Sequence, residues 1–177
     1  NIFCENLIVN DINNDGIIDL IITDSNGLAI ATKNEVHGIN YTFTNVDSSN
    51  NSISKINIAD INGDKKNDIV CSSILNHTIG WYENIGNLEF NYYDISDTLN
   101  GLSCIVVSDI NNDKVDDIIY SSIKDENIVA LINSKDQTFS SLNLSKNTYS
   151  KAIGIYDIDN NGKKDLIYSS SLTNNIH

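Results

Sequence analysis

Proline and methionine are absent from the 177-residue chain, and basic side chains are scarce, with 11 Lys and Arg against 24 Asp and Glu. The net charge of −13 argues against a nucleic-acid or anionic-membrane binder, because phosphate-rich partners need a basic surface. No apolar run approaches the roughly 18–20 residues of a membrane-spanning helix, so direct membrane insertion is not expected. Apolar residues still make up 40% of the chain, which is enough for a hydrophobic core.

Cysteine is also scarce. Cys4, Cys71 and Cys104 each occupy a different place in the sequence repeat, so they predict buried free thiols rather than a disulfide framework, with one disulfide as the alternative. Asparagine is abundant instead, with 29 residues. The N-x-[ST] sequons are about as many as chance predicts, so they are compatible with a secreted glycoprotein without establishing one. They begin at Asn40, Asn50, Asn76 and Asn143.

An acidic nine-residue segment occurs four times in the chain. The starts of the segments lie 49, 49 and 48 residues apart, and the flanking sequences are similar as well. The segments read DINNDGIID from Asp11 to Asp19, DINGDKKND from Asp60 to Asp68, DINNDKVDD from Asp109 to Asp117, and DIDNNGKKD from Asp157 to Asp165. We therefore interpret the chain as copies of one supersecondary unit.

Each unit contains short apolar segments rich in Ile, Val, Tyr and Phe, separated by Asn, Asp, Gly and Ser. This composition predicts strands, and no stretch sustains a helical period. The predicted first strands are 7–10, 55–59, 105–108 and 152–156, and the predicted second strands are 19–23, 68–72, 117–121 and 165–169. The predicted third strands are 28–32, 79–83 and 128–132, and the predicted fourth strands are 41–46, 89–95 and 138–144.

Four strands in a unit of this length predict an all-β fold, a β-propeller of four-stranded antiparallel blades. Kelch-type units share the period but carry glycine pairs and aromatic markers that are absent here, and a parallel β-helix needs shorter repeats. The predicted blades are about 1–49, 50–98, 99–146 and a truncated 147–177. The chain thus supplies about three and a half blades, and we expect a longer polypeptide or another chain to complete the ring.

Positions 1, 3, 5 and 9 of each acidic segment carry three carboxylates and one amide. Clustered carboxylates repel one another, and a hard divalent cation removes that repulsion. Ca²⁺ takes six to eight oxygen ligands in flexible geometry, which alternate residues of a tight loop can supply. The candidate side-chain ligands are Asp11, Asn13, Asp15, Asp19, Asp60, Asn62, Asp64, Asp68, Asp109, Asn111, Asp113, Asp117, Asp157, Asp159, Asn161 and Asp165. Backbone carbonyls at position 7, from Ile17, Lys66, Val115 and Lys163, complete up to four predicted Ca²⁺ sites.

Other interpretations of these segments are weaker. An EF-hand loop needs a Glu at position 12 and flanking helices, whereas this position holds Ile22, Cys71, Tyr120 or Tyr168 and the flanks are predicted strands. Plain polar turns would explain one such segment, but not four with the same ligand spacing. Mg²⁺ prefers to keep its waters rather than enter an all-protein site.

Position 6 of the segment distinguishes the four copies. We expect a left-handed backbone there, which Gly16 and Gly162 accept most easily. Lys65 and Lys114 occupy this position in the second and third copies, so those sites are predicted to be strained or weaker, although Gly63 can relieve the second loop.

The pattern D-x-[DN]-x-[DN]-x-x-x-D between two strands, with WYEN at 81–84 on the third strand, resembles the FG-GAP/VCBS repeats. That family includes the calcium-bearing blades of integrin α-subunit propellers. The resemblance covers essentially the whole chain and implies a propeller, usually of seven blades, with Ca²⁺ in the loop between the first and second strands of a blade. The chain departs from the family in lacking the Phe-Gly…Gly-Ala-Pro sequence that names the repeat.

No catalytic constellation is recognised in the sequence, so we expect no enzyme activity. His37, His77 and His177 occupy unrelated repeat positions and are interpreted as surface or loop residues. The sequence has no G-x-S-x-G elbow, Cys–His pairing or phosphate-binding glycine loop. Trp81 and Tyr82 could stack on a sugar, but packing between blades is the favoured interpretation.

Two function classes fit the sequence. In the first, the chain is an extracellular or cell-surface recognition and adhesion scaffold that binds a protein or glycan. Family analogy places the binding loops opposite the Ca²⁺ loops, at 24–27, 74–77, 123–127, 46–53, 95–101 and 145–150. In the second, it is a non-catalytic accessory or structural propeller of a larger enzyme or surface assembly, including a carbohydrate-directed one. An extracellular location is expected because imperfect calcium loops suit millimolar external calcium.

Overall fold

The computed structural model describes residues 4–33, 40–50, 52–96, 99–170 and 175–176. Within these ranges the chain forms strands, and no helix is long and apolar enough to cross a membrane. The strands are β1 Asn6–Asn10, β2 Asp19–Asp24, β3 Gly27–Lys33, β4 Tyr41–Asp47, β5 Lys55–Ala59, β6 Asp68–Ser73, β7 Thr78–Gly86, β8 Glu89–Ser96, β9 Leu102–Ser108, β10 Asp117–Ser122, β11 Asn127–Asn133, β12 Phe139–Lys146, β13 Ile153–Tyr156, β14 Asp165–Ser170 and β15 Asn175–Ile176.

The strands form four separate antiparallel sheets, each a simple meander. Strands β1 to β4, β5 to β8 and β9 to β12 make four-stranded sheets, and β13 to β15 make a three-stranded one. The first strand of each sheet contacts the first strand of the next, which joins β1 to β5, β5 to β9 and β9 to β13. This arrangement of sheets around their first strands is that of a β-propeller, as the sequence predicts. The described sheets do not close into a ring.

Burial falls from the inner strands of a blade to the outer one. All six residues of β6 are buried because a neighbouring blade covers each of its faces. The fourth strands β4, β8 and β12 are mostly exposed or half-buried, as the outer edge of a blade should be. In the last sheet, β14 is only half-buried along most of its length. The second strands of the two inner blades, β6 and β10, are therefore packed on two sides, whereas β2 and β14 are packed mainly on one.

The hydrophobic core lies between successive blades rather than within one. Ile21 and Ile30 of the first blade pack with Ile69 and Tyr82 of the second blade. Trp81 lies on the other face of the second blade. Trp81 in turn packs among residues of the third blade, including Ile118. Trp81 and Tyr82 are 1% and 2% exposed, which confirms that these aromatic side chains pack between blades. A third cluster joins the third blade to β13 and β14.

The outward faces of the first and last described sheets are uncovered. Leu7 and Phe43 of the first blade are 55% and 61% exposed, whereas Ile56, the counterpart of Leu7 in the second blade, is 6% exposed. At the other end, Ile158 is 58% exposed, although its counterparts Ile12 and Ile61 are fully buried under the following blade. Each end therefore presents half of the interface that repeats between the inner blades.

The cysteines only partly follow the sequence expectation. All three are free thiols, and Cys71 is buried in the core between the first two blades. Cys104 is half-buried, but Cys4 is exposed, so the prediction of a buried thiol is wrong there. The reason is that Cys4 precedes β1 and so lies outside the strand that packs against the next blade. Among the histidines, His37 and His177 lie outside the described residues, while His77 lies in the β6–β7 turn.

Candidate metal centres in the acidic loops

Each acidic segment forms the loop that joins the first and second strands of a blade. The first Asp of each loop directly follows the first strand, and the ninth residue begins the second strand. The residue before position 1 pairs with position 9, as Asn10 does with Asp19 and Ala59 with Asp68. This pairing holds positions 1 and 9 of the loop side by side. The sheet therefore brings the two ends of the ligand pattern together.

The loop backbone turns left-handed at two positions in every copy. Position 6 has φ between 68° and 83° in all four loops, as the sequence predicts, and Lys65 and Lys114 adopt it despite their side chains. Position 4 is also left-handed, which was not predicted from the sequence. The signal was present, because position 4 is always Asn or Gly, the residues that tolerate this conformation best. The position-4 residues are Asn14, Gly63, Asn112 and Asn160.

Backbone N–H groups of the loop point inward at the acidic side chains. In the first loop, Asp15 N–H and Gly16 N–H donate to the two carboxylate oxygens of Asp11 at 3.0 and 2.8 Å. Position 5 accepts from the N–H of position 7, and position 3 accepts from the N–H of position 5, in all four loops. These donors offset part of the carboxylate repulsion and fold the loop around its own acidic side chains.

The carboxylate at position 9 is the buried member of the set. Asp19, Asp68 and Asp117 are fully buried, and Asp165 is half-buried. Burial, with the neighbouring aspartates, raises the pKa of Asp19 and Asp117, and it raises that of Asp68 to about 6. Ionising these carboxylates without a cation therefore costs free energy.

The fourth loop gathers its carboxylates most closely. Oxygens of Asp157, Asp159 and Asp165 lie within 4.8 Å of one another, close enough to share one ion. The other loops have Asn at position 3, and its amide oxygen faces the N–H of position 5. In the second loop, Lys66 Nζ pairs with Asp64 Oδ2 at 2.7 Å and so places a cation beside a candidate ligand.

The position-7 residues differ in their surroundings. Ile17 and Lys66 are half-buried, Val115 is 6% exposed, and Lys163 is exposed. Their predicted role is to offer a backbone carbonyl to Ca²⁺, which side-chain burial does not test. That role therefore stays a prediction.

Three further residues connect the loops, and no such role was predicted for them from the sequence. Asn84 lies two residues before the end of β7 and Asn133 is the last residue of β11, and the side chain of each reaches the loop of the preceding blade. Asn67, at position 8 of the second loop, donates to Asn10 Oδ1 and to the carbonyl of Asp11. The recurrence of Asn84 and Asn133 at the same repeat position was a visible signal, but their partners lie 72 residues away in sequence.

The residues present fit a hard cation. Every candidate side-chain ligand is a carboxylate or amide oxygen, the donor chemistry that Ca²⁺ prefers. In the first loop, Oδ1 of the buried Asp19 accepts no hydrogen bond of normal geometry within the described part of the chain, although the backbone N–H of Lys33 interacts with this carboxylate and lowers its pKa. A buried carboxylate oxygen without a partner is costly, and a bound cation would satisfy it.

Solved structures share this architecture. An Agrocybe aegerita lectin, reported for its specific recognition of non-reducing terminal N-acetylglucosamine, aligns with a TM-score of 0.70 at 20% identity over 92% of this chain and 46% of the lectin chain. BBS1N, from a crystal structure of its complex with ARL6DN soaked with lead, aligns with a TM-score of 0.63 at 13% identity over 97% of this chain and 54% of its own. The chain thus spans about half the length of each, and these identities show the fold alone.

Sequence comparison identifies the repeat. Curated proteins yield no match to the chain. The FG-GAP-like repeat family model matches residues 11–71, 60–120 and 109–168, so that each match runs from one acidic loop through the next and together they cover most of the sequence. The chain therefore belongs to the FG-GAP-like repeat family.

Proposed function

We propose that the chain is a calcium-binding propeller segment with one Ca²⁺ site in each acidic loop. The observation that carries the proposal is the convergence of Asp157, Asp159 and Asp165, whose oxygens lie within 4.8 Å of one another in a loop that recurs four times. Side chains at positions 1, 3, 5 and 9, with the carbonyl at position 7, would hold the ion. Bound Ca²⁺ would offset most of the negative charge of the three carboxylates and fasten the first hairpin of each blade.

Charge supports this proposal at the level of the whole chain. Four bound Ca²⁺ ions would bring the net charge from −13 to about −5, which relieves the self-repulsion of the compact state. Loops with three carboxylates and non-glycine residues at position 6 suit the millimolar calcium outside cells. We therefore propose that the protein lies in the extracellular space or at the cell surface.

A recognition scaffold is the role we propose for the calcium-bound propeller. The similar structures include a lectin that recognises a sugar and a propeller in complex with another protein, so either a glycan or a protein ligand is compatible with the fold. The candidate binding surface is the set of loops opposite the calcium loops, at 24–27, 74–77, 123–127, 46–53, 95–101 and 145–150. Residues 51, 97 and 98 of this set lie outside the described residues.

The alternative is a non-catalytic accessory or structural propeller of a larger enzyme or surface assembly. The sequence beside this segment discriminates between the two roles. A flanking catalytic module would favour the accessory role, and an adhesion stalk or membrane anchor would favour recognition. In both cases we propose that the segment itself catalyses no reaction.

Ring completion is part of the proposed function. The uncovered faces carrying Leu7 and Ile158 correspond to faces that other blades cover inside the chain. We propose that further blades, from the same polypeptide or another chain, cover them.

Thermal unfolding with and without calcium tests the metal sites. Saturating Ca²⁺ should stabilise the chain by several kcal/mol relative to EDTA, because each filled site contributes about 2.7 kcal/mol at one hundred times its Kd.

Asp157→Asn should remove one site from the calorimetric stoichiometry, as Asp60→Ala should remove another. Glu89→Gln makes the same charge change as Asp157→Asn on an exposed strand residue outside the loops and should leave the stoichiometry intact. Equal melting temperatures in Ca²⁺ and EDTA would contradict the proposal.

A further inference from the structure

Asn84 bridges two acidic loops. Its buried side-chain amide donates to the carbonyl of Ile12 in the first loop at 2.8 Å and to the carbonyl of Asn67 in the second loop at 3.0 Å. Its backbone N–H donates to Oδ1 of Asp68, the position-9 carboxylate of the second loop, at 2.9 Å. Asn84 is 3% exposed, so these bonds are shielded from water.

Asn133 makes the same bridge one blade later. Its side-chain amide donates to the carbonyl of Ile61 at 2.7 Å and to the carbonyl of Asp116 at 3.3 Å, while its backbone N–H reaches Asp117 Oδ1 at 2.9 Å. The amide oxygens of both asparagines accept a backbone N–H two residues later at 3.0 Å. Every polar group of both side chains is therefore engaged, and neither side chain can reorient without losing several bonds.

The peptide groups at position 2 complete a continuous path. Ile61 N–H donates to Oδ2 of Asp68 at 2.9 Å, and its carbonyl accepts from Asn133. Ile12 N–H likewise donates to Asp19 Oδ2 at 3.3 Å, and its carbonyl accepts from Asn84. Hydrogen bonds thus run without interruption through Asp19, Ile12, Asn84, Asp68, Ile61, Asn133 and Asp117.

We propose that Asn84 and Asn133 couple successive acidic loops, so that a cation ordering one loop raises the cation affinity of its neighbour. The calcium part of this inference rests on the proposed function. A cation held by Asp68 fixes the carboxylate to which the Asn84 backbone is bonded, and Asn84 then holds the Ile12 peptide of the preceding loop in place. Less conformational freedom remains to be lost when that loop binds its own ion, which is positive coupling.

Coupling should be stronger between the first and second loops than between the second and third. Asn67 adds two bonds from the second loop to the first, to Asn10 Oδ1 at 2.8 Å and to the Asp11 carbonyl at 3.3 Å. In the third loop the equivalent residue is Asp116, which cannot donate when ionised.

A double-mutant cycle tests the coupling. The calcium midpoint of the first loop is followed by the amide hydrogen exchange of Asp15 and Gly16 in the full chain. Asp60→Asn, which disables the second loop, should raise that midpoint at least about fivefold, the lower end of measured couplings. In an Asn84→Ala background only the two Asn67 bonds still join these loops, so the same change should shift the midpoint clearly less, by about twofold. Asn133→Ala is the matched control, because it removes an equivalent buried donor yet should leave the fivefold effect intact.

Metal-free exchange separates this inference from the calcium proposal. In EDTA, Asn84→Ala should accelerate exchange of the Ile12 amide, whereas Asn133→Ala should accelerate that of Ile61. Asn84→Ser, too short to reach the Ile12 carbonyl, provides a second variant if Asn84→Ala fails to fold. If the chain bound no calcium, the proposed function would be overturned. The exchange measurements in EDTA would still decide whether Asn84 couples the first two loops. Equal Asp60→Asn effects in wild-type and Asn84→Ala chains, or no change at Ile12 in EDTA, would overturn the coupling.

Discussion

Lys66 gives the second acidic loop a cation of its own. Its Nζ lies 2.7 Å from Asp64 Oδ2, a candidate ligand at position 5. Burial pushes the pKa of Asp64 upward, but the hydrogen bonds and charge of Lys66 outweigh it, so that the pKa lies below its ordinary value. The ammonium group therefore competes with Ca²⁺ for this carboxylate.

Lys66→Ala should tighten calcium binding at the second loop about two- to fivefold, a modest gain because exposed ion pairs are weak. Hydrogen exchange of the backbone amides of residues 65 and 66, followed as a function of calcium concentration, would measure the change in affinity. Lys163→Ala is the matched control, since Lys163 holds the same position in the fourth loop, where position 5 is the neutral Asn161. An equal gain in both variants would show that net charge, not the ion pair, governs affinity.

Asp47 connects the first two blades through a charged hydrogen bond. Tyr82 Oη donates to its Oδ2 at 2.7 Å, and the Ser49 N–H and hydroxyl both donate to its Oδ1. Burial raises the pKa of Asp47, but these donors outweigh burial and the net shift is downward. A carboxyl whose pKa is lower in the folded state adds stability above its unfolded pKa and loses it as the pH falls through the folded value.

Asp47→Asn should therefore cost about 1 kcal/mol at pH 7, allowing for partial exposure, and progressively less below pH 4. Urea unfolding at pH 7, 5 and 3 would give the difference from wild type. Tyr82→Phe removes one donor and leaves the Ser49 bonds, so its cost at pH 7 should also decline on acidification. A deficit for Asp47→Asn that stays constant between pH 7 and pH 3 would contradict this account.

At the level of secondary structure, the β2–β3 hairpin depends on Gly27. Gly27 has φ +111°, and a Cβ there would overlap the backbone oxygen of Asp47 on β4. Gly86 in the β7–β8 hairpin also has a positive φ, +97°, but a Cβ there would meet no atom within 4 Å. Substituting each glycine by Ala therefore separates the cost of steric overlap, present only at Gly27, from the cost of backbone strain, present at both.

Gly27→Ala should lower the free energy of unfolding by about 3 kcal/mol, since it combines left-handed strain with overpacking against backbone. Gly86→Ala should cost about 1–2 kcal/mol from strain alone. Denaturant unfolding of both variants in EDTA gives the comparison. A similar loss of unfolding free energy in the two variants would mean that β4 moves aside at little cost.

The sequence predicted the strands well because each is a short apolar run bounded by Asp, Asn or Ser. Every predicted strand coincides with an observed one, with ends shifted by at most three residues. The bulges between third and fourth strands, at Leu28, Ile79 and Ile128, were not predicted. They depend on how two strands pair and twist, which no single segment encodes.

The loops were predictable in outline but not in their connections. Spacing alone indicated the side chains at positions 1, 3, 5 and 9 and the left-handed position 6, since these are local properties. The bridge from Asn84 to Ile12 was not predictable, because it arises only when two blades pack together. The closeness of Asp157, Asp159 and Asp165 likewise required the folded loop. The ion itself remains a prediction.

At the scale of the whole molecule, the two uncovered ends are complementary halves of one interface. Such a head-to-tail contact between copies is heterologous, using a different face from each. We expect the isolated chain to self-associate at micromolar concentration, through the face carrying Val9 on one copy and the face carrying Ile158 on another.

Either Val9→Asp or Ile158→Asp should abolish this association in sedimentation velocity, because each removes one half of the contact. Leu75→Asp, on the β6–β7 turn and 79% exposed, is the control and should leave association unchanged. A wild-type chain that is a sharply melting monomer would count against both the association and the need for further blades.

The bridging asparagines also bear on how such a protein can lengthen. The second repeat carries a donor, Asn84, that reaches back to the unit before it and a carbonyl, that of Ile61, that accepts from the unit after it. A tandem duplication of this repeat in the gene therefore inserts a unit already matched to both neighbours, with no compensating substitution at either junction. Blade number can thus change by whole units during evolution, until the geometry of closure sets the limit.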